Sequence, residues 1–300
     1  MILAPAAPPV PVQGVGGFDY VTVDSVHRRV YAAHTGNDSL LIVDADSGKV
    51  LRQVHLGETH GVAFDPSSST VFTGNGTAHS LSKIDATTGK ILGTATVPGN
   101  VDAIAYDEAT QRIYGDEDDG TRIFVIDAKT MKQIATIALP GHKPEYLALD
   151  GANTLYQNID NLGEVAVVDL QTNKVSRIMP TKAIVKNHPL QLDRAWGHLW
   201  VGGKNGTLAQ YDLSGKLLHK VAIQAAVDQC TLDAQRHRIA CAGSGKVTVV
   251  QDSQTGAPTV VGSMSVNDDT HTVGIDEKSG DFWIVWSDQK HDYVQRLQLK

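Results

Sequence analysis

The sequence is short of several things that would have decided its class early. Cysteine occurs only at Cys230 and Cys241 in 300 residues, so at most one disulfide can form within the chain. No apolar run approaches the length that crosses a bilayer as a helix, which excludes membrane insertion by that route. No Lys/Arg cluster offers an electrostatic footprint for nucleic acid, and the net charge is −7. No Gly-x-Ser-x-Gly elbow is present. Gly243-Ser-Gly-Lys246 echoes a phosphate loop, but it falls in a predicted strand-to-strand turn with no helix to follow. The first 13 residues are rich in Ala and Pro and lack the basic and apolar regions of an intact signal peptide.

What the chain does have is a repeat. Seven stretches superpose, at residues 18–24, 59–65, 101–107, 144–150, 187–193, 227–233 and 270–276. Each closes on Asp, with apolar residues alternating before it, as in Val62 and Phe64 or Leu190 and Leu192. The closing residues recur about every 42 positions, the period of a propeller blade. This predicts one all-β domain over residues 1–300: a seven-bladed β-propeller of four-stranded blades, with the seven stretches as innermost strands. The seventh blade lacks a fourth strand at its C-terminal end. Residues 10–13 resemble such a strand and are expected to complete it, removing the exposed edge.

The acids at turns are expected to be structural. The closing Asp starts each A–B turn, and Asp44-Ala-Asp-Ser-Gly-Lys49 recurs in varied form at the C–D turns starting at Asp85, Asp127, Asp169 and Asp212. Asp accepts hydrogen bonds from amides two residues on, and Gly or Asn tolerates positive φ. A Ca²⁺ loop at Asp44 and Asp46 would need further ligands and a terminal Glu that are missing.

His60-Gly-Val-Ala-Phe-Asp-Pro66, Arg29-Val-Tyr-Ala-Ala33 and Leu40-Leu-Ile-Val-Asp-Ala-Asp-Ser-Gly-Lys-Val50 resemble the YVTN-repeat, YncE-like propeller family. The resemblance covers essentially the whole chain. It implies the same fold and a periplasmic or secreted location, and it supplies no catalytic motif.

Function is approached through one column. Five residues before each closing Asp stands an ionisable residue: Asp19, His60, Asp102, Glu145, His188, Asp228 and His271. Asp, Glu and His are about 15% of the chain. Seven in one register would then arise by chance on the order of once in a million, or once in ten thousand over some forty registers. Turn capping accounts for Asp at such a position but not for Glu and His. These residues should ring one mouth of the central channel. His60, His188 and His271 are spread evenly around the ring and are the expected ligands of a divalent transition metal, Zn, Cu, Fe or Mn. Asp19, Asp102, Glu145 and Asp228 are expected as ligand-binding or supporting residues between them. Sheets about 10 Å apart give a ring radius of about 11 Å, which leaves three imidazoles roughly 3 Å short of a common ion unless small inner residues let the blades converge. His34 is expected beside Asp19 and His60, which makes an off-axis site in blades one and two the rival. Glu117 and Trp286, with Asn75 and Asn158, are expected to wall the same pocket.

The expected function is metal-centred binding of a small ligand by a monomer, with hydrolysis or elimination as the chemistry. The alternative is a non-catalytic acidic mouth that recognises a cationic ligand or protein. Cys230 and Cys241 should stand opposite each other on a hairpin, where two buried free thiols are favoured over a bridge expected to be strained.

Overall fold

Alternating apolar and polar residues, cut every six or seven positions by Asp, Gly and Asn, produce strands and tight turns. The computed structural model describes residues 1–300. Its strands form seven separate antiparallel sheets, six of them sequential meanders and the seventh built from both ends of the chain. Blade two shows the plan: Thr59–Asp65, Thr70–Asn75, Ser80–Asp85 and Ile91–Thr96 are strands A to D, counted outward from the channel. Strands B and C are largely buried on both faces because a blade lies on each side, and in blade one they read as near-continuous apolar runs, Val30–Ala33 and Leu40–Val43. Strand D lies at the rim and keeps only Ala95 buried.

The core therefore lies between blades. Tyr31, Leu40 and Ile42 of blade one pack on Val62, Val71 and Ile84 of blade two. Phe72 and Leu81 of blade two pack on Ile113 and Phe124 of blade three. Each such side chain contributes about 1.5–3 kcal/mol on burial, and the layers hold the blades together as much as they hold each blade.

The turn acids act as expected. Asp24 Oδ1 accepts the amides of Val26 and His27 at 3.0 and 2.8 Å, and Asp193 Oδ1 those of Ala195 and Trp196. Asp44 Oδ1 accepts the Ser47 amide at 2.8 Å, while Asp46 pairs with Arg28. No oxygen cage remains for Ca²⁺ there. Inner strands one and seven are shorter than the repeat suggests, Val21–Asp24 and Val273–Asp276; in blade one Asp19 and Tyr20 both bond Ala33 of strand B, so the regular ladder starts only after them.

The N-terminus closes the ring, and does so twice. Val10–Val12 pairs with one end of the last strand, Asp292–Leu299, through Val10 and Val294. Leu3–Pro5, not foreseen, pairs with the other end through Leu3 and Leu299. Leu3 and Val12 enter the cores of two different blade interfaces.

Cys230 and Cys241 are cross-strand partners and form a disulfide, which corrects the expectation of free thiols. Their Cα atoms stand 4.0 Å apart, the close spacing of a pair that exchanges no ladder hydrogen bonds, and this brings the two sulfurs within bonding reach. Reducing the bond, or replacing Cys241 by Ala, should cost about 3 kcal/mol for a loop this short and lower the melting temperature by about 5 °C. Calorimetry with and without reductant measures the cost. Free thiols in the unreduced, unfolded protein would contradict the bond.

Candidate functional site

Strand A of blades two to six breaks register with strand B at one repeated place. The shifts fall between Thr59 and Val62, Val101 and Ile104, Pro144 and Leu147, Asn187 and Leu190, and Val227 and Gln229. The residues skipped include His60, Asp102, Glu145, His188 and Asp228. A bulge re-aims a side chain away from the ladder, and here it turns the ionisable column towards the channel mouth. Asp19 and His271 lie just ahead of the shorter strands in blades one and seven.

Once turned inward, the column sorts itself into neighbours. His60 Nδ1 stands 2.6 Å from Asp19 Oδ2 and 3.8 Å from Asp102 Oδ1, with Glu58 Oε1 at 3.6 Å from Nε2. One donor atom from each of Asp19, His60 and Asp102 lies within 4.8 Å of the others. Across the mouth, His188 Nε2 stands 2.9 Å from Glu145 Oε2 and 3.4 Å from Asp228 Oδ1, and Lys204 pairs with Asp228. His271 is taken up by backbone: its ring nitrogens face the carbonyls of Asp269 and Phe18 at 2.6 and 2.9 Å. The three imidazoles are thus held apart. His60 and His188 each pair with carboxylates of the adjacent blades instead of meeting at a common ion, and the His60 group stands where the off-axis rival was expected, with Asp102 rather than His34 beside Asp19 and His60.

Close approach of blades two and three makes that group. Gly61 follows His60, and a Cβ there would lie 2.3 Å from the Asp102 carbonyl oxygen. Only glycine lets the two inner strands come near enough for Asp102 to face His60.

Burial alone would lower the His60 pKa, but its hydrogen bond to Asp19 and the charges of Asp19, Glu58 and Asp118 hold it above the ordinary value. His188 behaves alike: burial opposes the proton, and the Glu145 hydrogen bond with the Asp228 and Glu145 charges overcomes it. Asp102 is pushed well above the usual carboxylate range by burial first, then by Asp19, Asp116, Glu145 and Asp118. Asp102 and Glu145 are adjacent carboxylates in the ring with no imidazole between them.

The raised His188 pKa has a definite sign. Its ion pairs add stability below the unfolded value of about 6.5, and that stability is lost as pH rises through the higher folded value. The His188 ring should titrate by NMR above pH 6.5, and Glu145→Gln should lower the midpoint and destabilise more at pH 6 than at pH 9. A midpoint unmoved by Glu145→Gln would refute the pairing.

The other expected pocket residues lie elsewhere. His34 is fully buried, its Nε2 against Asp292 and its ring stacked on Phe18 at 4.4 Å, so it faces a blade interface. Glu117 is held by Arg122, and Trp286 stacks on Tyr293 at 5.4 Å. Asn75 bonds Ser80 and Ser82 within its own blade. Asn158 Nδ2 donates to the His188 carbonyl at 2.7 Å and so steadies that bulge.

Below the ring two tyrosines reach across the channel. Tyr20 and Tyr146, each next in sequence to a column residue, come from blades one and four and meet with ring centroids 5.7 Å apart. The matching positions in blades two and three are Gly61 and Ala103, which leave the two rings their space. Tyr20 Oη is buried without a hydrogen-bond partner. The repeat held a signal for this layer, because Tyr20 and Tyr146 occupy the same register position after an ionisable residue, but only the charged column drew attention. Glu58 and Asp118 lie outside the repeated register and carried none.

With this geometry in hand, comparison places the chain among known folds. The Kuenenia stuttgartiensis hydrazine synthase structure matches at a TM-score of 0.80 and 14% identity, over 98% of this chain and 99% of that one. The U3-55K structure matches at 0.83 and 14%, over 99% and 100%. At such identities the likeness shows the propeller fold alone. No protein-family model matches the chain, and no curated protein matches it in sequence.

Proposed function

We propose that the protein is an exported, monomeric propeller of the YVTN-repeat, YncE-like kind that holds a divalent transition metal at one channel mouth and binds a small ligand there. The ligands are Asp19, His60 and Asp102. The observation that carries this is the convergence of their donor atoms within 4.8 Å. Metal bonds of about 2.1 Å place tetrahedral donors about 3.4 Å apart. His60 Nδ1 stands 2.6 and 3.8 Å from the two carboxylates, so small side-chain shifts suffice. Glu58, 3.6 Å from His60 Nε2, would orient the ring from behind. One imidazole with two carboxylates suits Zn, Mn or Fe, and Cu less well. Three protein ligands leave a position for solvent or ligand, where a bound metal would supply the Lewis acidity for hydrolysis or elimination.

Export is supported by the repeats, which resemble a mostly exported family, and by the Cys230–Cys241 bond, since structural disulfides persist in oxidising compartments. The net charge of −7 and the acidic mouth disfavour nucleic acid as a partner. The crowding of Asp102, Asp116, Asp118 and Glu145 favours a second reading, in which a cationic organic ligand takes the place of a metal. Elemental analysis of the native protein and titration with Zn²⁺ and Mn²⁺ separate the two. About one ion per chain, absent from a D19N/H60A/D102N variant, is expected. Equal binding by that variant overturns the metal and leaves the cationic ligand.

A further inference from the structure

The opposite mouth of the channel has a different character. There the inner strands end in a funnel of mixed lining, apolar side chains deeper in and Asp107, Glu108 and Arg194 among the residues around it. A cavity of about 380 Å³ is bordered by Phe64, Pro66, Tyr106, Leu149, Gly151 and Arg194, drawn from blades two to five. A second, of about 280 Å³, shares Phe64, Tyr106, Leu149 and Arg194 with it and runs inward to Tyr146. Pockets of this size and lining take small organic molecules, with the few polar groups setting orientation.

Arg194 is the one cationic group on either lining. Its Nε donates to the Leu149 carbonyl at 3.0 Å, which aims the guanidinium, and no carboxylate stands within ion-pair distance. Gly151, at a φ of +79°, leaves it room, since a Cβ would lie 2.7 Å from Nη1. The nearby acids are mostly spoken for. Asp150 accepts the amides of Ala152 and Thr154 and feels the Arg194 charge without pairing with it, and Asp107 accepts the Ala109 amide and the Thr110 hydroxyl. Glu108 is exposed at the rim and disfavours a second negative charge on a ligand.

We infer that this funnel binds a small monocarboxylate with an apolar body, its carboxylate on the Arg194 guanidinium and its body against Phe64, Tyr106 and Leu149. A guanidinium unpaired in the free protein offers a two-pronged donor to one carboxylate. The inference stands apart from the metal reading, because the two mouths share no ligand residue.

Decanoate is a suitable probe, titrated into the intact protein by calorimetry beside decan-1-ol and decylammonium. Decanoate should bind saturably at one per chain, and the alcohol and amine about 10–100-fold more weakly, the value of a charged hydrogen bond. Arg194→Gln should remove that preference while leaving metal binding and the melting temperature unchanged, as expected for an exposed residue. Phe64→Ser should weaken acid and alcohol alike. Absence of saturable decanoate binding, equal binding of decan-1-ol, or full affinity in Arg194→Gln would each overturn the inference.

Discussion

Removing residues 1–14 should take away a large share of the protein's stability. The loss has two parts. Leu3 and Val12 leave the cores on either side of blade seven, and the hydrogen bonds of Leu3–Pro5 and Val10–Val12 to the last strand go with them. Two buried side chains and about five net hydrogen bonds amount to a gross loss of about 6–10 kcal/mol, against a typical total of about 5–15 kcal/mol. The freed entropy of the two short strands returns part of it. What nothing returns is cover for Asp292–Leu299, left as an eight-residue strand with one edge open to another chain. A fall in melting temperature of about 10 °C or more is expected, with oligomers by light scattering. In the intact chain the outer strands carry Pro5 and Pro11, which cannot donate and so refuse a further neighbour. A truncated protein that stays monomeric at wild-type stability would show that closure matters little.

The second large effect concerns the metal. His60→Ala removes the only imidazole of the Asp19–His60–Asp102 group and should lower affinity for Zn²⁺ by about 100-fold or more, since a ligand loss exceeds the 10–100-fold seen for supporting residues. Asp19→Asn and Asp102→Asn should follow it. Glu58→Gln should cost about 10-fold, through the ring it orients. Binding should weaken on acidification, because protons compete for the ligand atoms. The informative controls are His188→Ala and His271→Ala, which should leave affinity unchanged. Their rings are committed to Glu145 and Asp228 and to backbone carbonyls. If all three histidines proved equally necessary, the mouth would have to rearrange around an axial ion, and the off-axis group would be wrong.

Those controls mark where sequence reasoning stopped. The repeat gave blade number, strand order and the identity of the ring, because period and alternation are properties of the chain itself. It also made the ring's members equivalent, which suggested a symmetric centre. Equivalence of position does not make equivalence of partner. His60 lies between Asp19 and Asp102 because Gly61 draws blade three inward, a distance no pattern of residue types encodes. His34 seemed to belong to the mouth because its strand ends there, yet the ring turns into the interface and finds Asp292. Periodicity locates a residue along a strand, and packing between blades decides which way it faces. The cysteines make the same point, since their opposition could be counted from the turn but the spacing of that rung could not.

The meeting of Tyr20 and Tyr146 turns one shaft into two cups set back to back on a shared floor. The two cups draw on different residues, Asp19, His60 and Asp102 above and Phe64, Tyr106 and Arg194 below. They are still joined mechanically. Tyr146 follows Glu145 of one cup and borders the inner cavity of the other. A guest that presses on that ring from below would have to move the strand carrying Glu145 above, and the cost would be the same in reverse. Two assays on one protein, each with the other cup full or empty, would read the stiffness of the floor.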